Sequence, residues 1–138
     1  MNLALFDFDG TITTREMLPD FYRFAIRPRR WALGKILLAP LVAGYKAGVV
    51  SGVVLRAAVA WLGFARVPVA EFEAHGMRFA SEVLPGVLRP EAMARIRWHQ
   101  GEGDRVIVVS GALDVYLKHW CATHELELIC SSFAQAEG

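Results

Sequence analysis

The chain has 138 residues, 54% of them hydrophobic and 21% charged, with a net charge of +1. That composition supplies enough apolar material for one core and a smaller packed unit, which argues against disorder, and the near-balanced charge gives no electrostatic case for a nucleic-acid partner. Cys121, Cys130 and the four histidines (His75, His99, His119, His124) fall at no metal-binding spacing, and no secretory leader is read before the first strand, so a reduced, cytoplasmic setting is expected.

The first predicted element is an apolar strand at about Leu3–Phe8, which breaks into a turn reading Asp7-Phe8-Asp9-Gly10-Thr11. In extended backbone residues i and i+2 point the same way. Asp7 and Asp9 can therefore face one reaction centre while Phe8 turns into the core. Two crowded carboxylates repel unless one is protonated or a cation lies between them. A divalent cation would keep Asp7 ionised as a nucleophile and leave Asp9 to carry a proton. A solvated acidic turn is the plain alternative. A calcium loop fails on spacing, because its glycine would fall at Ile12 and its closing glutamate at Leu18.

From about residue 15 to Leu84 the pattern is helical. Ser51 reads as an N-cap for a helix to about Phe64, and Pro68 as a first-turn residue of another from about Val69 to Val83. Arg23, Arg27, Arg29, Arg30 and Lys35 precede apolar runs interrupted by Lys46 and Arg56. No run approaches the roughly 18 apolar residues that span a bilayer. Such helices either pack on one another with a solvated basic edge, or lie on an anionic membrane surface.

Pro85-Gly86 marks a return to alternating elements. Pro90 opens a helix through about Gln100, and Gly101 and Gly103 bracket the loop into a strand at Arg105–Val109. That strand is a β-branched run of the kind buried on both faces of a parallel sheet, and it ends in Ser110-Gly111. The Ser110 hydroxyl and the N–H groups opening the next helix, about Leu113–Thr123, would make an anion site. Read by itself, Ser110 is first an N-cap. A short strand at Leu126–Cys130 follows.

The Asp7-Phe8-Asp9-Gly10-Thr11 turn resembles motif one of the haloacid dehalogenase-like superfamily, and the Val-Ser-Gly strand end resembles its motif two. The order of elements is similar to the phosphoserine phosphatase-like branch over essentially the whole chain. The resemblance implies an α/β fold: a Rossmann-like parallel-sheet core from residues 1–14 and 85–138, incomplete at its C-terminal side, with an all-helical cap inserted at residues 15–84. It implies a Mg2+-dependent phosphomonoester hydrolase working through an aspartyl-phosphate. Asp7 would be nucleophile, Asp9 acid and base, both would hold Mg2+, and Ser110 and Gly111 would hold the phosphoryl group. Glu16 would contact substrate, or be merely a helix-start acid.

Bacterial phosphatidylglycerophosphate phosphatases of this branch carry a similar basic-then-apolar insert. The implied partner is thus a phosphorylated small molecule or a phospholipid head group, with peripheral contact at the inner membrane face. The chain departs from the family in lacking the motif-three lysine and the motif-four acidic pair. Lys118, eight residues past Ser110, is too close to be that lysine. The expectation is a truncated hydrolase, weak or inactive alone, whose first strand is an exposed edge open to self-association. The alternative is a non-catalytic remnant that binds a membrane or a partner.

Overall fold

A computed structural model of the chain describes residues 1–131. Three parallel strands, β1 (Leu3–Asp7), β2 (Arg105–Leu113) and β3 (Glu127–Ser131), lie in the order β1-β2-β3. Between β1 and β2 run five helices, α1 (Leu18–Ala25), α2 (Pro28–Leu37), α3 (Ala39–Lys46), α4 (Gly52–Phe64) and α5 (Val69–Glu82). A single 3-10 turn at Leu84–Val87 and α6 (Pro90–Gly101) complete the crossover, and α7 (Asp114–Thr123) joins β2 to β3. This is the α/β parallel-sheet architecture that the alternating pattern predicts.

Both crossovers advance in the same direction across the sheet. Crossovers of one hand then place α6 and α7 on the same face. Side chains bear this out: Phe6 meets His99 of α6 edge-on at 6.0 Å, and Phe8 meets Trp120 of α7 at 5.2 Å. The alternate residues point the other way. Leu3 is 55% exposed, Leu5 62% and Ile129 60%, and the register aligns Leu5 with Ile107 and Asp7 with Val109. On this face the outer-strand residues Leu5 and Ile129 are exposed while Ile107 between them is buried, and among the described strands β1 is an edge. The sequence signalled the bare edge but not the exposure of Leu5 and Ile129.

One cluster of buried side chains runs from the sheet (Phe8, Val106, Val108) through α7 (Val115, Tyr116, Leu117) into α5 (Phe79, Ala80) and α1 (Phe21, Tyr22, Ala25). Phe21 is its hub, contacting Phe79 at 5.3 Å and Tyr116 at 5.1 Å. Gly76 lets α5 lie directly on α7, since a Cβ there would strike the Val115 carbonyl. The outer helices are different. Gly34 is the only buried residue of α2 and Gly63 the only one of α4, while α3 has none. Leu33, Ile36, Val53 and Trp61 lie more than half exposed instead.

Local signals place most boundaries. The Ser51 hydroxyl accepts from the Val54 N–H at 3.3 Å and starts α4 as expected. Pro68 sits one position earlier than predicted, at the N-cap of α5. Gly103 takes a left-handed φ of 78° in the turn before β2, a conformation only glycine adopts without strain. No single helix among the described residues is long and apolar enough to cross a membrane. Helices α4 and α5 reach the length together but meet at a 110° bend.

Candidate active site

Asp7 closes β1, and the next five residues, Phe8–Ile12, form one wide turn sealed by the Thr13 N–H donating to the Phe8 carbonyl at 3.1 Å. Inside it Asp9 keeps an extended backbone (φ −67°, ψ 124°), and Gly10 reverses the chain at φ 75°. The two-residue spacing of the carboxylates thus acts through extended backbone even though the strand itself ends at Asp7. Thr13, fully buried, braces the turn from within. Its hydroxyl accepts from the Gly10 N–H at 3.2 Å and donates to the Arg15 carbonyl at 2.6 Å. Sequence reasoning passed over Thr13, whose role depends on the turn closing on itself.

Each carboxylate is held by backbone. Asp7 accepts from its neighbour's N–H, Phe8, at 2.9 Å, and Asp9 accepts from the Met17 N–H at 3.0 Å. Asp9 is half-buried, and burial raises its pKa above the usual carboxylate value. The Met17 N–H opposes that rise, and the charges of Glu16 and Asp7 add to it. A carboxyl group pushed towards its protonated form beside another that is open to solvent is suited to donating a proton. The buried Tyr116 phenol lies in the field of Asp9, which helps to hold it in its neutral form.

The second predicted motif is placed differently from the expectation. β2 does not stop at Val109 but continues to Leu113, with an irregularity after Ser110. Ser110 is therefore not the cap of α7, a position taken by Leu113 with no side-chain hydrogen bond. Its hydroxyl is buried and accepts from the Ala112 N–H at 3.0 Å, leaving its own proton to donate. Asp7 is in register with Val109, so Ser110 stands one residue further along the neighbouring strand. On β2, Val109 and Gly111 are on the exposed side and Ser110 on the buried one. The first turn of α7 carries Asp114, which occupies the anion-attracting end of the helix with a negative charge of its own.

A cleft of about 410 Å³ opens at the end of the sheet. Asp9, Gly111 and Ala112 form its floor, and Glu16 stands at its edge, so three of the predicted residues meet there. The opposite wall comes from the inserted helices: Tyr22 and Arg23 of α1, Trp31 of α2, and Leu55, Arg56 and Val59 of α4. Arg56 is near enough to act electrostatically on the Tyr22 phenol. None of these wall residues has a local signature, because they converge only when α1, α2 and α4 fold back over the turn.

Among the described residues no group of three or more His, Cys, Asp and Glu gathers as a metal shell. Asp7 and Asp9 fit a hard cation as two protein groups, the rest of its octahedral shell falling to water and phosphate. Lys118 is spent elsewhere, paired with Glu73 of α5 at 2.6 Å.

Residues 4–138 match the family model described as haloacid dehalogenase-like hydrolase. The chain belongs to that family. Hydrolases of this kind generally use Mg2+. Protein CicA of Caulobacter vibrioides is 31% identical over 113 residues, 82% of this chain and 50% of that protein. The chain thus spans about half the length of the curated relatives it matches. A protein of unknown function from Bordetella pertussis shares the fold with a TM-score of 0.76 at 20% identity, over 99% of this chain and 63% of its own. A HAD family hydrolase from Salmonella enterica serovar Typhi does so at 0.65 and 15%, over 99% and 42%. A phosphoserine phosphatase, solved as a phospho-aspartyl intermediate analogue, does so at 0.54 and 18%, over 98% and 58%.

Proposed function

We propose that this haloacid dehalogenase-like chain carries the nucleophile half of a phosphomonoester hydrolase. An oxygen of Asp7 attacks phosphorus, and the bond from phosphorus to the ester oxygen breaks. Asp9 gives that oxygen its proton, so the leaving group departs as a neutral alcohol and an aspartyl-phosphate remains. Asp9, now ionised, takes a proton from water, whose oxygen attacks the same phosphorus and releases inorganic phosphate and Asp7. The backbone around Gly111 and Ala112 forms the floor under the phosphoryl group, and the Ser110 hydroxyl, buried behind that floor, positions it by accepting from the Ala112 N–H. Mg2+, held by Asp7 and Asp9, would supply positive charge against the phosphate.

The observation that supports this reading is the braced turn that opens Asp9 into a cleft one spacing from a solvent-facing Asp7. The Asp7 carboxylate and the Asp9 backbone carbonyl are a thin hold on the cation, so turnover by this chain alone is weak. The cap's exposed apolar residues, with Arg29 and Lys35 beside them, favour peripheral contact with an anionic membrane at its cytoplasmic face. The test is trapping with beryllofluoride and Mg2+, read by fluorine NMR. An adduct that Asp7→Asn abolishes supports the reading. A protein that forms none, yet still binds phosphate or vesicles, is the non-catalytic alternative.

A further inference from the structure

The wall that the inserted helices turn towards Asp9 carries one phenol. Tyr22, in the second turn of α1, is only 7% exposed and lines the cleft. Carbon fixes its ring: Phe64 of α4 lies 5.9 Å away and Phe21 6.5 Å. Its hydroxyl makes no hydrogen bond among the described residues. A phenol this deeply placed normally finds a partner, and phenylalanine would pack against Phe21 and Phe64 without needing one. Tyr116 also lacks a hydrogen bond for its hydroxyl, but that oxygen is sealed in the core, whereas Tyr22 borders open space.

A phosphoryl group over the cleft floor adds negative charge to a place that already holds it, since Asp7 and Glu16 press on the Asp9 carboxylate with like charge. Two cations, Arg23 and Arg56, line the same cleft. Arg23 leans on Asp20 at 3.8 Å. Arg56 makes no ion pair or hydrogen bond among the described residues, and it lies close enough to the Tyr22 phenol to oppose the rise in pKa that burial imposes there. A cation beside a phenol makes its proton more readily shared with an anion. We infer that Tyr22 touches the substrate: across the cleft from Asp9 and Gly111 its hydroxyl donates to a phosphoryl oxygen, and Arg56 is the positioning cation that favours this bond. The proton stays on the phenol throughout. The inference rests on the phosphomonoester hydrolase reading, and it adds a donor that the acidic turn and its backbone floor lack.

The probe is inorganic phosphate, titrated into the full chain in Mg2+ buffer, with affinity read by phosphorus NMR and contact by the carbon resonance of each tyrosine's hydroxyl-bearing ring atom. The chain has three tyrosines, so Tyr22→Phe assigns the signal. Phosphate moves the Tyr22 resonance and leaves that of Tyr45, on the outer helix α3, in place. Tyr22→Phe, which keeps the ring, weakens phosphate binding about tenfold. Arg56→Gln weakens it about fivefold and shrinks the Tyr22 shift, and Arg56→Lys restores most of both. The double variant binds about as well as Tyr22→Phe, because the cation acts through the phenol. Lys46→Gln removes the same charge from α3 and stays within about twofold of the wild type. Phosphate that binds without moving the Tyr22 resonance, or that binds Tyr22→Phe as tightly as the wild type, overturns the contact and spares the hydrolase reading. A loss in Arg56→Gln no larger than that in Lys46→Gln overturns the positioning role. No phosphate binding by the wild type removes the phosphate site itself, and the contact with it.

Discussion

Arg30 belongs by sequence to a basic cluster suited to anionic lipid, yet its structure assigns it to the interior of the cap. One terminal nitrogen donates to three carbonyls at the end of α4, to Ala65 at 2.8 Å and to Leu62 and Gly63 at 3.3 Å. That nitrogen has only two hydrogens, so the three contacts amount to two bonds, one of them well formed. A hydrogen bond from a charged group contributes about 1.5–3 kcal/mol. Partial exposure and the long contacts discount the sum, so Arg30→Met, which keeps the aliphatic stem, costs about 2 kcal/mol. For a chain of this size that corresponds to a fall of about 6 °C in Tm. Thermal unfolding followed by circular dichroism measures it, with Arg29→Gln as the control, since Arg29 has no ion pair among the described residues. A change below about 1 °C, or one equal to that of Arg29→Gln, refutes the capping role. The same result bears on vesicle binding, where Arg29 and Lys35 are informative and Arg30 is confounded by folding.

Asp9 has a pKa raised by burial, so its contribution to stability is complete below the unfolded value of 3.8 and is lost as pH rises through the folded value. Asp9→Asn keeps an acceptor for the Met17 N–H and removes the buried charge; in metal-free buffer its Tm at pH 7 exceeds that of the wild type, and the gain shrinks on acidification. A lower Tm at pH 7 contradicts the assignment. Gly76→Ala drives a methyl group into the Val115 carbonyl and costs about 3 kcal/mol in urea unfolding, far more than Gly86→Ala, where no atom lies within 4 Å. The bare edge of the sheet makes the chain self-associate with concentration in sedimentation velocity, and Leu5→Lys shifts it towards monomer; equal behaviour of the two proteins rules out that surface.

The acidic turn was readable because its pattern is local. Asp7, Asp9 and Gly10 lie within four residues, and their spacing acts through backbone geometry alone. The strands and the α4 N-cap at Ser51 were readable for the same reason. The surroundings of Ser110 were not, because the strand's continuation to Leu113 depends on pairing with β3, and no residue between 110 and 113 announces the irregularity. The cleft wall was hidden for a larger reason. Tyr22, Trp31 and Arg56 are 34 residues apart from first to last, and only the crossing of α1, α2 and α4 joins them. The insert's apolar runs pointed first to a packed bundle and then to an interfacial surface, and Leu33, Ile36, Val53 and Trp61 lie more than half exposed.

The guanidinium that seals the end of α4 also joins two walls of the cleft. Trp31 rides on the helix that carries Arg30, and Leu55, Arg56 and Val59 ride on the helix it grips, so these walls form a single shutter. Helix α5 is bedded on α7, and the two chain crossings below are stitched together by Thr14 N–H to the Val87 carbonyl at 2.9 Å and Arg89 N–H to the Ile12 carbonyl at 2.7 Å. The α2 and α4 walls of the cleft are thus tied to each other, and the floor beneath them is tied to the sheet.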